Sequence, residues 1–493
     1  MKRKAIVVGA GLGGLATAVR LQSAGYQVTV FDRRNGPGGK AFTQEIGPYR
    51  FDTGPSLLTL LPVFERLFRD IGRDLHDYLA VEPLTEICRY YWPDGATTTT
   101  VPGATELAQR LQADLAEPAD NTLRFLRHCK RIWDITTPVF LQRSLHEAST
   151  YRGATFWRSF ARLWQIDPLR TLADAVDACF VTPHARQLFK RYATYNGSDP
   201  FQTPATLSTI VHAEYGLGAW SVRDGIYQIP RALERVGTEL GVEFAFDSTV
   251  DAIVSNNGIV SGVRVGDRQY TADVVVSNAD VRTTYEQLLR DPEAPRNRRY
   301  RQLEPSSSGL VLYLGVGRAS DRMGLHTIAF SDDYRREFDA IFRHDTCPED
   351  PTLYINITSK GGAPNDAPSG GENWFVLVNA PAARGQDWDA EHARVRERAL
   401  RRLSRIVGWN VTDHIEAEDR LLPTDIERLT DSRFGSLYGI SSNTARAAFV
   451  RHPNRSRRYK GLYFVGGSAH PGGGMPLVIL GAEITASLIA QRS

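Results

Sequence analysis

The sequence predicts an α/β fold, and three observations carry that prediction. The first forty residues read as strand, tight glycine turn, helix and strand: apolar Ala5–Val8, the run Gly9 to Gly14, a helical pattern ending at Gly25, and Val28–Phe31 stopping at Asp32. The same order of strand, glycine turn and helix returns at the far end, in Leu462–Val465, Gly466–Pro476 and Val478–Ala490. Between them, short alternating strands are interleaved with helical stretches, the pattern of a mixed-sheet second domain.

In the opening unit each residue type has a physical reason. Gly9 permits the tight turn, Gly11 lets a pyrophosphate approach the backbone, and Gly14 lets the helix pack close to the sheet. Leu12 and Gly13 lie in the turn, and the helical pattern that follows from Leu15 has free N–H groups and a partial positive charge at its N-terminus that suit that pyrophosphate. Asp32, with Arg33 after it, ends the second strand where a carboxylate can accept both ribose hydroxyls and would repel a 2′-phosphate. A glycine-rich turn of some other parallel sheet would not need the acid. The unit therefore predicts dinucleotide binding.

After Asp32 come five residues and then Gly38-Gly39-Lys40, glycines that let backbone lie along a cofactor and a lysine that adds positive charge. The whole spacing resembles the FAD fingerprint of the amine oxidase and carotenoid desaturase superfamily, with Lys40 where arginine is commoner. Gly39 and Lys40 join the candidate cofactor contacts on that resemblance.

At 493 residues the chain has room for about two to four domains. Lys and Arg total 59 against 56 Asp and Glu, a net charge of +3, and no basic block appears, so nucleic acid is not expected as a partner. Cys88, Cys129, Cys179 and Cys347 are too widely spaced for a metal knuckle or disulfide framework; they read as buried free thiols in a reducing compartment, and no metal is expected. Lys2–Lys4 and the following apolar run imitate a signal peptide, but Gly9 to Gly14 interrupt it. No run of eighteen apolar residues suggests a membrane span.

Beyond the turn, Asp52 to Ser56, including Gly54 and Pro55, reads as a strand end beside the cofactor or substrate, or as an ordinary strand–turn–helix junction. Residues 58–79 read as mostly helical with breaks near Pro62 and Gly72, and 104–115 and 122–135 as helices. From 130 to 190 aromatic residues, among them Trp133, Phe140, Phe156, Trp157, Phe160 and Trp164, alternate with Arg143, Arg152, Arg158, Arg162 and Arg170. Such helices either lie in a membrane interface or cover a protein core. A helix over 227–240, strands at 242–246 and 249–254, a hairpin at Asn256-Asn257-Gly258 and the apolar strand Val274–Ser277 follow. Strands at 310–316, 354–357 and 374–379 and an Arg-rich helix over 391–406 complete the middle.

At the C-terminus, backbone amides of the second glycine turn can face the remaining phosphate or ribityl oxygens. Both ends then form one discontinuous domain around one extended cofactor, which suits FAD better than a mononucleotide. Phe51-Asp-Thr-Gly-Pro, Tyr195-Asn-Gly, Ser277-Asn-Ala-Asp-Val and Leu462-Tyr-Phe-Val-Gly-Gly-Ser-Ala-His-Pro-Gly-Gly-Gly-Met-Pro join the opening fingerprint. Together, across essentially the whole chain, they look like the bacterial phytoene desaturase family.

That resemblance implies FAD, a long apolar polyene taken from a membrane, and a cytoplasmic enzyme on the inner face of the cell membrane. It places Val250 against the adenine and adds Asn278, Gly466, Gly467, Gly474, Met475 and Pro476 to the cofactor contacts. It divides the chain into an FAD-binding domain (1–75, 225–300, 440–493), a substrate domain (76–120, 300–440) and a helical, membrane-facing region (121–224). Leu477 departs from the usual Gly-Ile-Pro-Gly-Val ending and is similar to members acting on the end of a preformed carotenoid, such as 1-hydroxycarotenoid 3,4-desaturases and terminal-methyl oxygenases. A 3,4-desaturase is the expected activity, with phytoene desaturase next. An amine oxidase and a non-catalytic lipid carrier are the other classes. His470 is the candidate proton acceptor, or else a structural histidine fixing its turn.

Overall fold

The computed structural model describes residues 2–449 and 451–491. At its centre lies a parallel sheet of five strands: β1 (Lys4–Val8), β2 (Gln27–Phe31), β3 (Glu243–Ala245), β4 (Val274–Ser277) and β5 (Leu462–Phe464), in the order β3-β2-β1-β4-β5. Val7 pairs with Val30 on one side and Val276 on the other, and Val276 pairs with Tyr463. The central strands β1 and β4 are apolar runs, Ala5–Val8 and Val274–Val276, because both faces of the sheet are covered: Val7 and Val276 pack toward the helix that follows β1, and Ile6, Val8 and Val275 toward Ile253, Val260 and Val263. Helix α1 (Leu12–Ser23) packs against α2 (Met475–Ala490) and against the helix Gln228–Leu240. Gly25, at φ +92°, turns the chain from α1 into β2.

A mixed sheet of seven strands forms the second layer. Its order is 415–421, 308–316, 372–380, 353–357, 326–329, 88–91, 97–100. Neighbours run antiparallel except His326–Ala329 and Cys88–Tyr91, which are parallel. Side chains alternate across it. Leu310, Leu312 and Leu314 join a core with Val395, Ala399 and Leu403 of the helix Trp388–Val407. Val311, Tyr313 and Phe375 face the opposite way.

Several local expectations shift. Leu58–Thr59 is a short strand, and the helix begins only at Leu61, with Pro62 in its first turn rather than breaking it. A proline there lacks an N–H that the first turn leaves unpaired anyway. The expected strand over 249–254 starts at Ala252. The Asn257-Gly258 turn takes left-handed φ of +48° and +75°, as a tight hairpin needs. Among the described residues no helix is long and apolar enough to cross a membrane. The stretch from 137 to 165 is broken into short helices rather than one long amphipathic one.

Candidate functional site

The two glycine turns meet at the carboxyl ends of β1 and β4. Gly9 takes φ +99° and donates its N–H to the Phe31 carbonyl, locking β1 to β2. Asp32 accepts the Ala10 N–H at 2.6 Å and the Arg34 N–H at 2.8 Å, so its carboxylate is fixed at the mouth of the turn. Gly11 and Gly38 form a parallel bridge, bringing the second glycine pair against the first. A Cβ on Gly14 would lie 2.1 Å from the Gly9 carbonyl oxygen, so only glycine lets α1 start there.

From the other end, the Val465 N–H donates to the Ser277 carbonyl, and Gly466 follows at φ +103°. Asn278 stands between the two turns: Cβ atoms on Gly11, Gly13 and Gly466 would each come within 3.0 Å of its amide. Neither α1 nor α2 has a side-chain cap or an acidic residue in its first turn. Around Gly474, the residue before α2, a Cβ would meet nothing within 4 Å. Two long helices thus present uncapped N-termini, that of α2 beside open space, which fits a phosphate- and ribityl-bearing flavin.

The remaining predicted residues fall as follows. Gly54, Pro55, Gly474, Met475 and Pro476 line a cavity of about 540 Å³. Gly467 lies in the C-terminal turn, and Val250 is buried with Ile6, Val8 and Phe31. Lys40 lines the cavity, but its ammonium donates to the Ser436 and Leu437 carbonyls at 2.9 and 2.8 Å. Burial lowers its pKa to about 8, against the attraction of Asp280. Its ammonium thus ties down residues 436–437 at the cavity wall. Arg33 is placed differently: its guanidinium pairs with Asp431 at 3.0 Å and with the Arg428 carbonyl. Arg34, absent from the expectation, turns inward to the Gly39 carbonyl and lies 3.6 Å over the Phe42 ring.

His470 is buried; its Nε2 donates to the Arg143 carbonyl at 2.8 Å, and Nδ1 has no partner. Burial holds its pKa down at about 4, so the ring is neutral at pH 7. It borders a second cavity of about 170 Å³, which shares Thr59, Tyr195, Gly474 and Pro476 with the first. The bond to Arg143 is the geometry of a histidine that fixes its turn.

Sequence reasoning missed the far wall of the larger cavity. Its floor is the apolar sheet face, with Ile328 and Leu377 beside Val311 and Phe375. At one end the wall becomes polar. Arg191 lies 3.5 Å from Glu214 and donates to Tyr90 Oη at 2.8 Å. Glu214 also accepts from Tyr192 at 2.7 Å and from Tyr195. His326 and Tyr354 complete that end. These residues come from five separate segments, and only the Tyr195-Asn-Gly motif gave a signal.

A family model described as flavin containing amine oxidoreductase matches residues 12–490. A 1-hydroxycarotenoid 3,4-desaturase from Flavobacterium sp. is 41% identical over 495 residues, covering 100% of both chains. A 4,4′-diaponeurosporene oxygenase from Staphylococcus aureus is 32% identical over 494 residues, covering 100% of this chain and 99% of that one. Among solved structures, an oxidoreductase from Methanosarcina mazei shares the fold, with a TM-score of 0.63, 18% identity and coverage of 99% and 100%. The chain belongs to the flavin-containing amine oxidoreductase family, within the group that holds the carotenoid desaturases, and its cofactor is FAD.

Proposed function

We propose that this flavoenzyme is a carotenoid desaturase that introduces the 3,4 double bond near the end of an acyclic or monocyclic, 1-hydroxylated carotenoid. The observation that carries the reading is the cavity of about 540 Å³, which runs from Gly39 and from Gly474–Pro476 to an apolar sheet face. That is the volume of a small-molecule site. Its wall of Val311, Ile328, Phe375 and Leu377 suits a hydrocarbon chain, and the Glu214 carboxylate that also lines it is already taken by Arg191, Tyr192 and Tyr195 rather than free for an amine.

FAD, when bound, supplies the hydride acceptor. The chain's own work is to bind, orient and keep dry. Gly9, Gly11, Leu12, Gly13, Gly14, Asp32, Gly39, Asn278, Gly466 and Gly467 would hold the adenosine and pyrophosphate end, with Val250 against the adenine. Gly54, Pro55, Gly474, Met475 and Pro476 would flank the ring system. The apolar sheet face would lay the polyene along that ring and exclude water, and the conjugated chain delocalises the positive charge that develops when hydride leaves. His470 is neutral and its unpartnered Nδ1 is the acceptor atom of the ring, but it lines the smaller cavity, and its bond to Arg143 favours the structural role.

The same reading assigns 1–75, 225–300 and 440–493 to the FAD-binding domain, 76–120 and 300–440 to the substrate domain, and 121–224 to a region that touches the inner face of the cell membrane. Trp157, Phe160, Trp164 and Leu169 support that contact: they are 58%, 51%, 79% and 96% exposed within one short stretch. Expression in hosts that accumulate phytoene, lycopene or 1-hydroxylated carotenoids tests the activity, with pigments resolved by chromatography. A new 3,4 double bond in the hydroxylated pigment is expected, and conversion of phytoene alone rejects the assignment. An aldehyde product would favour terminal-methyl oxidation, the second reading that the staphylococcal relative supports.

A further inference from the structure

The larger cavity has an apolar wall, yet three residues on its polar end carry a polar atom without a partner: Arg191 Nε, His326 Nε2 and Tyr334 Oη. Each residue is more than nine-tenths buried, at 7%, 4% and 6% exposure. Leaving such atoms unpaired is costly, so a fold keeps them only where something else pairs them. A further unpaired hydroxyl, that of Tyr313, is three strands away from His326 in the sheet.

The three residues are held as one unit. Arg191 donates to Tyr90 Oη, Tyr90 stacks on Phe330 at 5.8 Å, and Tyr334 sets its ring edge-on to Phe330, also at 5.8 Å. His326 precedes them on the strand 326–329. Its Nδ1 accepts from Asn356 Nδ2 at 3.2 Å and lies 2.8 Å from Tyr354 Oη. Nδ1 is thus the acceptor of the ring, and Nε2 bears the proton. Tyr354 Oη is in turn 2.5 Å from Ser56 Oγ, next to Gly54-Pro55. The unpaired Nε2–H is therefore anchored through two hydrogen bonds to the turn read as lying beside the flavin.

We propose that Arg191, His326 and Tyr334 form the pocket that recognises the C1 hydroxyl of the carotenoid. This rests on the 3,4-desaturase reading, and it adds how the enzyme tells a hydroxylated end from a hydrocarbon end. A hydroxyl accepts two hydrogen bonds and donates one. The Nε–H of Arg191 and the Nε2–H of His326 supply two donors, and Tyr334 Oη accepts. The Arg191 charge is already balanced by Glu214, so the pocket is matched to a neutral oxygen rather than to a carboxylate. The hydroxyl carbon is two carbons from C3. A pocket that reads it must lie close to the oxidised bond, and the tie to Ser56 puts this one beside the cofactor turn. A hydrocarbon end entering the same space would leave three buried polar atoms unpaired, which is the strongest form of discrimination available to such a site.

The test measures preference in binding, apart from turnover. Immobilised, FAD-loaded enzyme is equilibrated with detergent micelles holding equal amounts of a 1-hydroxylated acyclic carotenoid and the hydrocarbon of the same length, and the retained pigments are quantified by chromatography. Wild type should retain the hydroxylated pigment in roughly ten- to hundredfold excess. Tyr334→Phe, which removes one oxygen and keeps the ring packing, and His326→Phe should each bring the ratio to within about threefold of one at unchanged flavin content. His326→Gln keeps a donor and should retain part of the preference. Should His326→Phe fail to fold, Tyr334→Phe alone decides. A wild type without preference, or a Tyr334→Phe variant with the full preference, overturns the proposal. A wild type that shows the preference yet forms no 3,4 double bond supports the pocket and rejects the activity assigned above.

Discussion

Asn278 packs its side-chain amide against Gly466: a Cβ on that glycine would come 2.9 Å from Oδ1. Asn278 follows β4 and Gly466 follows β5, and the same amide lies against Gly11 after β1. One asparagine therefore spaces the N-terminal and C-terminal halves of the nucleotide cradle. Gly466→Ala adds this clash to a backbone at φ +103°, a strain of about 1–3 kcal/mol. The purified variant should carry roughly a tenth or less of the wild-type flavin per protein by visible absorbance. Full flavin content would show that the spacing is not needed.

Asp32 is fixed by two backbone N–H groups at the end of β2. Asp32→Ala removes the charged acceptor, so FAD affinity should fall by roughly ten- to a hundredfold, following the ~1.5–3 kcal/mol of a hydrogen bond to a charged group. Reconstitution of apoenzyme followed by flavin fluorescence measures it. An unchanged Kd would remove Asp32 from the ribose contact.

Glu214 is the buried counter-charge of Arg191 and the acceptor of two tyrosine hydroxyls. Glu214→Leu leaves the arginine uncompensated inside the protein. The cost should be about 3–5 kcal/mol, read by urea denaturation of the FAD-loaded enzyme. A loss below about 1 kcal/mol would mean that water or another group replaces the carboxylate.

Burial lowers the pKa of His470 to about 4 and that of His326 and His452 to about 3, from 6.5. Between those values the unfolded chain binds more protons than the folded one, so stability rises with pH. The full contribution is present above pH 6.5 and is lost as pH falls through 4 and then 3. For His470 alone this amounts to roughly 3 kcal/mol. The melting temperature should drop steeply from pH 6.5 to 4, and His470→Asn should flatten that slope. If His470→Asn keeps both flavin and full turnover, His470 holds the turn and moves no proton.

Trp157 and Trp164 are exposed on the broken helical stretch that carries Arg152, Arg158 and Arg162. Changing both to Ser should markedly reduce flotation with anionic liposomes and leave the melting temperature within a few degrees, since neither is part of the core. Equal flotation of the variant would reject the membrane contact.

The sequence by itself determined the parts that are contiguous. The Gly9-to-Lys40 unit and the Gly466-to-Pro476 turn carry their own geometry: a left-handed φ at Gly9 and Gly466, a helix after each turn, which the structure begins three residues earlier than the sequence pattern, at Leu12 and Met475, and an acid at a strand end. The strands of the larger sheet were legible as short runs rich in apolar and β-branched residues, while only the packing separates Leu310, Leu312 and Leu314 from Val311 and Tyr313.

Only the tertiary structure decided what converges from a distance. Lys40 offered a positive charge beside the cofactor, and a segment almost four hundred residues later supplies two carbonyls that take its ammonium. Arg33 and Arg34 are adjacent in sequence, yet the strand end sends one to Asp431 at the surface and the other to the Gly39 carbonyl. Arg191, His326 and Tyr334 have no spacing that marks them; a 3₁₀ turn, a strand and a helix start bring them to one wall. Burial there strips away water, and only then do unpaired donors on three unrelated segments acquire a chemical meaning.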